Sequence, residues 1–214
     1  MKKRDFIKSS VFAASSFFFP NSIFSRSFTS NKVRTAHIGI GGMGFHDLNA
    51  ISSHKSVEVV GLCDVDLIAL KKANQKFPNA KKFKDYREML NELSDKIDAV
   101  IISTPDHSHA PASIMAMKQN KAVYCQKPLA HHVEEVREMR KIALNKNLVT
   151  QMGIQVHSFY DYKLATLLIQ SGIIGKVSRV RAWSPKNWGY DGKKPIGNDP
   201  IPKNLDWNLW LGTA

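Results

Sequence analysis

Three closely spaced glycines constrain this chain more than any other feature of its sequence. They stand at Gly39, Gly41 and Gly44 in the stretch IGIGGMGFHDLNAI, where an apolar run ends and a helical pattern begins. This spacing is typical of a tight turn between a β-strand and a helix, with the third glycine allowing the two elements to pack closely. We therefore predict a strand–turn–helix unit of the kind from which parallel sheets are built.

Short β-rich segments and helical segments alternate from this unit onward. Near-continuous runs of Val and Ile indicate parallel strands that are covered on both faces. The predicted strands are residues 34–41, 57–64, 98–104, 121–126 and 148–153, and the predicted helices are residues 43–52, 66–77, 86–93, 107–119 and 133–146. We predict an α/β fold, a Rossmann-like doubly wound parallel sheet that occupies residues 33–152.

Residues 153–214 differ in character from the alternating part. A helix that ends near Ser171 and a strand at Lys176–Ser184 precede a stretch rich in Pro, Gly, Asn and Trp. We expect this part to be the beginning of an α+β substrate domain that is incomplete here, so that the sequence belongs to a longer protein.

The first 30 residues have the pattern of an export signal. A basic start, MKKRDFIKSS, precedes the apolar run Val11–Phe19. That run is too short for a transmembrane helix, which needs about 20 residues, but it is typical of the apolar region of a signal peptide. Lys3-Arg4-Asp5-Phe6-Ile7-Lys8 resembles a twin-arginine signal with Lys in place of the first arginine. We predict a periplasmic or exported protein, with a cytoplasmic protein carrying an amphipathic or disordered leader as the alternative.

Charge and composition limit the classes of partner that the protein is expected to bind. The net charge is +13, but after the leader the lysines are dispersed and form no arginine-rich block. We therefore predict neither nucleic-acid binding nor a stable membrane span. Cys63 and Cys125 lie in apolar runs and are predicted to be free, buried thiols. No metal site is expected, since no carboxylate completes a ligand set with the adjacent His131 and His132.

The glycine turn and the next predicted strand together favour a dinucleotide. Asp64 ends that strand about 20 residues after Gly44, where a carboxylate can accept hydrogen bonds from a ribose. The helix N-terminus would bind the pyrophosphate. The predicted phosphate-binding residues are Gly39, Gly41, Gly42, Met43 and Gly44. NAD is favoured over NADP, because no arginine stands beside Asp64 and its carboxylate would repel a 2′-phosphate.

A second group of candidates follows the strand at 98–104, in the stretch STPDHSHAP. Open α/β sheets bind ligands at the carboxyl ends of their strands. We predict that Ser103, Thr104 and Pro105 contact the cofactor. His109 is either a further ligand or a surface or capping residue.

The motifs GIGGMG, CDVD, STPDHSHA, CQKP, QMGIQVH, SGIIGKV and LDWNLWLG occur in this order. In the order of these motifs, the chain from Val33 onward resembles the glucose–fructose oxidoreductase/inositol dehydrogenase (Gfo/Idh/MocA) family, and especially its exported bacterial branch. The resemblance implies that Lys127, in CQKP, matches the lysine beside the nicotinamide and the reacting carbon. It also implies cofactor contacts for Gln126 and Gln155 and a catalytic role for His157, with packing at a domain junction as the alternative for the last two.

One position departs from the family pattern. Gln126 stands where the family most often has glutamate in its E-K-P motif. A carboxylate would stabilise the charged form of the lysine, whereas a neutral amide would not. The substitution indicates either easier proton transfer by Lys127 or a changed activity. The family's second-domain carboxylate and histidine find no match before Ala214.

These features together predict an NAD-dependent oxidoreductase that acts on a sugar, polyol or glycoside. Hydride would leave a carbinol carbon, with Lys127 assisting, and a tightly bound NAD would be recycled within one catalytic cycle. The alternatives are an NAD-dependent glycosidase and a non-catalytic protein that binds NAD or a sugar. The resemblance also implies a homo-oligomer formed through the second domain.

Overall fold

The computed structural model describes residues 32–185, 192–194 and 196–213. Six parallel strands form one sheet in the order β3-β2-β1-β4-β5-β6. The strands are β1 Val33–Ile38, β2 Val57–Cys63, β3 Lys81–Phe83, β4 Ala99–Ile102, β5 Ala122–Gln126 and β6 Thr150–Gly153. The predicted Rossmann-like doubly wound fold is confirmed.

Helices cover the sheet on both faces. In the described residues the α-helices are α1 Gly42–Ser52, α2 Leu67–Lys76, α3 Tyr86–Glu92, α4 His109–Lys118, α5 Val133–Asn145, α6 Gln155–Ser158, α7 Tyr160–Gln170 and α8 Trp207–Leu211. α1 and α2 pack on one face through a cluster that includes Leu48, Leu62 and Leu70. α3, α4 and α5 pack on the other face. This division explains why β4, in the middle of the sheet, is apolar on both sides.

The two halves of the sheet meet between β1 and β4, which are paired from Thr35 with Ala99 to Ile38 with Ile102. After β1 the chain crosses to one face, and after β4 it crosses to the other. A crevice opens at such a reversal, at the carboxyl ends of the strands, where ligands bind in folds of this class. The fold therefore places the ends of β1, β2, β4 and β5 around one site.

Two predictions about strands were wrong. β3 was missed, because a three-residue edge strand with two lysines carries almost no apolar signal. The segment Lys176–Ser184 was predicted as a strand, but its residues are exposed and adopt no regular structure. A strand is stabilised by pairing with a neighbour, and the sheet of the described residues ends at β6.

The structure tests the prediction about the cysteines but not those about the leader and the domain boundary. Cys63 and Cys125 are free and buried, as predicted, and burial raises the pKa of the Cys125 thiol to about 11. The proposed leader, residues 1–30, lies outside the described residues, and the division at residue 152 stays a prediction. Among the helices described, none has the length and apolar character needed to cross a membrane.

Candidate cofactor site

The glycine turn between β1 and α1 is as tight as its spacing predicts. Gly39 has φ +75°, and a Cβ there would lie 2.7 Å from the carbonyl oxygen of Ser103. A Cβ on Gly44 would lie 1.9 Å from the carbonyl oxygen of Gly39. Gly41 is different: its φ is −90°, and its Cβ would meet Ala69 at an ordinary 3.5 Å. Gly39 and Gly44 are thus required by packing, whereas Gly41 keeps open the space in front of the turn.

The N-terminus of α1 is open to an anion. Gly41 is its N-cap and supplies no side-chain hydrogen bond, and the first turn holds no acidic residue. The first amide N–H groups of a helix have no intrahelical partner and attract negative charge. Gly42, with φ +47°, and Met43, which is exposed, begin this 11-residue helix. The turn therefore fits the pyrophosphate of a dinucleotide.

Asp64 follows β2 and holds the turn in place. Its Oδ2 accepts hydrogen bonds from the backbone N–H groups of Ile40, at 2.7 Å, and Gly41, at 3.1 Å. Its Oδ1 accepts from the N–H of Asp66 at 2.9 Å. Burial raises the pKa of Asp64, although these backbone hydrogen bonds oppose the shift. The carboxylate is thus a structural anchor as well as the predicted ribose acceptor, a role that sequence reasoning missed.

A cavity of about 270 Å³ lies at the carboxyl ends of β1, β2 and β4. Six of the predicted cofactor residues line it: Gly39, Gly41, Asp64, Ser103, Thr104 and Pro105. The hydroxyl oxygen of Thr104 is buried and has no hydrogen-bond partner among the described residues. A buried hydroxyl without a partner is costly, so a bound ligand that pairs with it would be stabilised. These residues fit the adenosine and pyrophosphate of NAD.

The cavity has a wall that sequence reasoning did not assign. We call residues 204–210 the 204–210 segment; it contributes Leu205, Leu209 and Trp210 to the lining. The segment is anchored to the end of β2, where Asn204 donates to Asp66 at 2.7 Å and the N–H of Asp206 donates to the carbonyl of Val65 at 3.0 Å. The motif LDWNLWLG was the only sequence signal for this wall.

Trp210 is fixed from the β4 side as well. Nε2 of His107 donates to the carbonyl of Trp210 at 2.8 Å, and the two rings meet edge to face with centroids 5.5 Å apart. Trp207 stacks on Trp210 at 4.9 Å. The 204–210 segment is therefore held near both of its own ends.

His109 is part of the scaffold behind the cavity. Its ring is 1% exposed, with Nε2 2.8 Å from the carbonyl of Thr104 and Nδ1 2.6 Å from the carbonyl of Pro128. With both nitrogens facing backbone carbonyls, the ring joins the loops after β4 and β5; its burial differs from the surface position that was the predicted alternative to a ligand role.

The residues predicted on the nicotinamide side lie beyond the cavity. Lys127 follows β5, is exposed, and forms no ion pair within the described part of the chain. Gln155 and His157 lie on α6, after β6; Nε2 of Gln155 is buried without a partner among the described residues, and His157 stacks on Tyr162 at 4.9 Å. These residues share the carboxyl edge of the sheet with the cavity but do not line it.

In the described residues no cluster of three His, Cys, Asp or Glu side chains is arranged for a metal.

Fold and site together define a dinucleotide-binding α/β domain. The chain belongs to the oxidoreductase family with an NAD-binding Rossmann fold, the Gfo/Idh/MocA family, whose model matches residues 33–154. NAD is thus the cofactor to which the family and the geometry both point.

Similar proteins include enzymes of two kinds. A glycosyl hydrolase family 109 protein of Stenotrophomonas maltophilia is 30% identical over 192 residues, which are 85% of this chain and 42% of the relative. The crystal structure of myo-inositol 2-dehydrogenase from Lactobacillus plantarum matches 68% of this chain and 43% of its own with a TM-score of 0.63 and 29% identity.

A third similar protein was solved with ligands. The WlbA dehydrogenase of Chromobacterium violaceum, in complex with NADH and UDP-GlcNAcA, has a TM-score of 0.61 and 26% identity over 69% of this chain and 42% of its own. This chain spans less than half the length of each of these three relatives.

Proposed function

We propose that the whole protein is an NAD-dependent oxidoreductase acting on a sugar, polyol or glycoside. The observation that carries the proposal is the position of Lys127, at the carboxyl end of β5 and on the same sheet edge as the cavity. A cofactor whose adenosine half occupies the cavity would extend along this edge toward β5 and β6. The Lys127 amine would then lie where the nicotinamide half of the cofactor ends.

In the proposed reaction a carbinol becomes a carbonyl. Bound NAD supplies a hydride acceptor at C4 of its nicotinamide. The carbinol carbon loses its hydride, and its hydroxyl loses a proton to the neutral amine of Lys127, so that atoms and charges balance. Lys127 is exposed and forms no ion pair with the described residues, so its amine is open to a substrate hydroxyl.

The test of this role uses Lys127→Met in the full-length protein, with Lys118→Met as the matched control. Lys118 is an exposed lysine in the last turn of α4. General acid–base groups typically contribute about 100-fold or more to rate, so we expect turnover of Lys127→Met to fall at least that far while NAD+ binding is unchanged. Turnover equal to that of the Lys118→Met control would refute the role.

A second candidate reaction is glycoside hydrolysis through transient oxidation. The observation that favours it is the similarity over 85% of the chain to a glycosyl hydrolase family 109 protein. Oxidation at one carbon would acidify its neighbour, allowing elimination, hydration and re-reduction with no net change in NAD. Hydrolysis of nitrophenyl glycosides in D2O separates the two: deuterium in the product beside the oxidised carbon supports the glycosidase. Stoichiometric NADH formation with myo-inositol or another polyol supports the dehydrogenase.

Export, if it occurs, favours a captive cofactor. A periplasm offers no obvious pool of NAD, so a cofactor that dissociates would be lost after one turnover. The anchored wall formed by Leu205, Leu209 and Trp210 is consistent with slow release. Cell fractionation of the native organism tests the location.

The captive-cofactor proposal is tested on full-length protein purified without added NAD and then denatured. Near one NAD per chain supports internal recycling, and an empty protein that binds NAD+ reversibly indicates an ordinary dehydrogenase. If the protein contains no nucleotide and does not bind NAD+, the proposal of an NAD-dependent enzyme is refuted. Of the alternatives, only a non-catalytic protein that binds a sugar would then remain.

A further inference from the structure

A buried carboxylate lies next to Gln126, and neither the motifs nor the cavity accounts for it. Asp47, on the inner side of α1, is 7% exposed. Its Oδ2 accepts hydrogen bonds from the hydroxyl of Ser103 at 2.7 Å and from Nε2 of Gln126 at 2.8 Å. Within the described residues no Lys or Arg forms an ion pair with it. A carboxylate removed from water needs such donors, so these two contacts decide how Asp47 is held.

Gln126 has both ends of its amide engaged. It is the last residue of β5 and is 6% exposed. Its Nε2 donates to Asp47, while its Oε1 accepts from the backbone N–H of Lys127 at 3.1 Å. An amide can join an acceptor to a donor in this way, whereas a glutamate would have no N–H for Asp47.

The neighbouring strand leaves room for this arrangement. Gly153 of β6 is paired with Gln126, and a Cβ at Gly153 would lie 3.0 Å from the side-chain Cδ of Gln126 and 2.6 Å from the hydroxyl of Tyr124. Burial, and secondarily the charge of Asp47, raises the pKa of Tyr124. The carboxylate thus acts on the end of β5, beside Lys127.

The geometry assigns to Asp47 a positioning role for Lys127, exerted through Gln126. In this chain the carboxylate next to the end of β5 is that of Asp47 on α1, and a glutamine is required at position 126 because its amide must donate to that carboxylate. This explains the departure from the E-K-P pattern as a compensated change and not as a loss of function. The inference rests on the proposed role of Lys127 in proton transfer.

The test moves the charge within the network. Three full-length variants are compared with the native protein: Gln126→Glu, Asp47→Asn, and both together. In Gln126→Glu two carboxylates would face each other at the distance of the present hydrogen bond, and like charges so close repel. In the double variant the new amide at position 47 can donate to the new carboxylate at position 126, which restores the contact with its direction reversed.

The primary readout is hydrogen exchange at the amide of Lys127, observed by NMR after selective ¹⁵N-lysine labelling. Coupled neighbours interact strongly enough to change an equilibrium by about tenfold. We expect the protection of the Lys127 amide to fall about tenfold in Gln126→Glu and to return to within about threefold of native in the double variant. Turnover should follow the same order.

Asp98→Asn is the matched control, since it removes an aspartate at the amino edge of the sheet whose partner is Arg34. It should lower the thermal midpoint without altering Lys127 exchange. If Gln126→Glu changes only the midpoint, or the double variant is no better than Gln126→Glu, the positioning role is refuted. If Lys127→Met retains turnover while the exchange results hold, the proposed function fails and the link from Asp47 to Lys127 stands.

Discussion

Alanine substitutions at two glycines of the same turn should affect different properties of the protein, namely its stability for Gly44→Ala and its binding of NAD+ for Gly41→Ala. In Gly44→Ala the new Cβ would lie 1.9 Å from the carbonyl oxygen of Gly39, while real Cβ contacts are practically never shorter than 3.0 Å. α1 must therefore move away from the end of β1 by about 1 Å. Overpacking of this kind costs about 1–3 kcal/mol, and the contact here is with backbone, so we expect about 3 kcal/mol.

Gly41→Ala should leave the fold intact and weaken cofactor binding. Its Cβ would meet only the side chains of Ala69 at 3.5 Å and Asp64 at 3.8 Å, and its φ of −90° suits any residue. The added methyl group would stand where the backbone must approach the pyrophosphate. We expect the Kd for NAD+ to rise about tenfold or more, equivalent to about 1.4 kcal/mol.

The assay combines thermal unfolding with NAD+ titration of the full-length protein. A loss of about 3 kcal/mol should lower the melting temperature of Gly44→Ala by about 6–12 °C, whereas Gly41→Ala should melt within a few degrees of the native protein. If Gly41→Ala binds NAD+ normally, the turn does not face the pyrophosphate. A native melting temperature for Gly44→Ala would refute the packing argument.

The remaining predictions concern the core, the cavity wall and an ion pair. Burial lowers the pKa of His37 to about 3, whereas a histidine in the unfolded chain has a pKa of about 6.5. Between these two values the unfolded state binds more protons than the folded state, so the free energy of unfolding should fall by up to about 1.4 kcal/mol for each pH unit of acidification. His37→Gln, measured by urea unfolding at several pH values, should lack that component. Trp210→Ala should speed NAD release about tenfold in stopped-flow fluorescence, whereas Trp183→Ala, an exposed control, should not. The side-chain hydrogen bond from Arg34 lowers the pKa of Asp98, so their pair stabilises the fold above the ordinary aspartate range and ceases to do so as the pH falls through the lowered value. Arg34→Met should cost about 1 kcal/mol at about pH 7, and that cost should shrink as the pH falls through the lowered pKa of Asp98.

Local patterns were sufficient for most of the fold. The glycine spacing, the apolar runs and their alternation with helices predicted β1, β2, β4, β5 and β6. The lysine-rich β3 carries no such pattern and exists through pairing with β2. The segment Lys176–Ser184 shows the converse, since residues with strand propensity do not form a strand without a neighbour.

The site was predictable where chemistry and spacing coincide in a short motif. Six predicted residues from three separate strand ends line one cavity, because parallel strands bring their carboxyl ends to the same edge. The roles of Asp64 as an anchor and of His109 as a scaffold were not predictable, since both depend on backbone groups that only the fold brings near.

The sequence by itself determined the class of fold and the glycine turn, because these depend on local periodicity and a short motif, and the resemblance of CQKP to a family motif supplied the candidate lysine. Only the tertiary structure decided which residues Gln126 contacts and which segment forms the wall of the cavity. Asp47 and Gln126 are 79 residues apart in sequence, and Asn204 and Asp66 are 138 residues apart. Such contacts join side chains whose separation along the chain leaves no local pattern, so their energies become visible only once the sheet has placed them together.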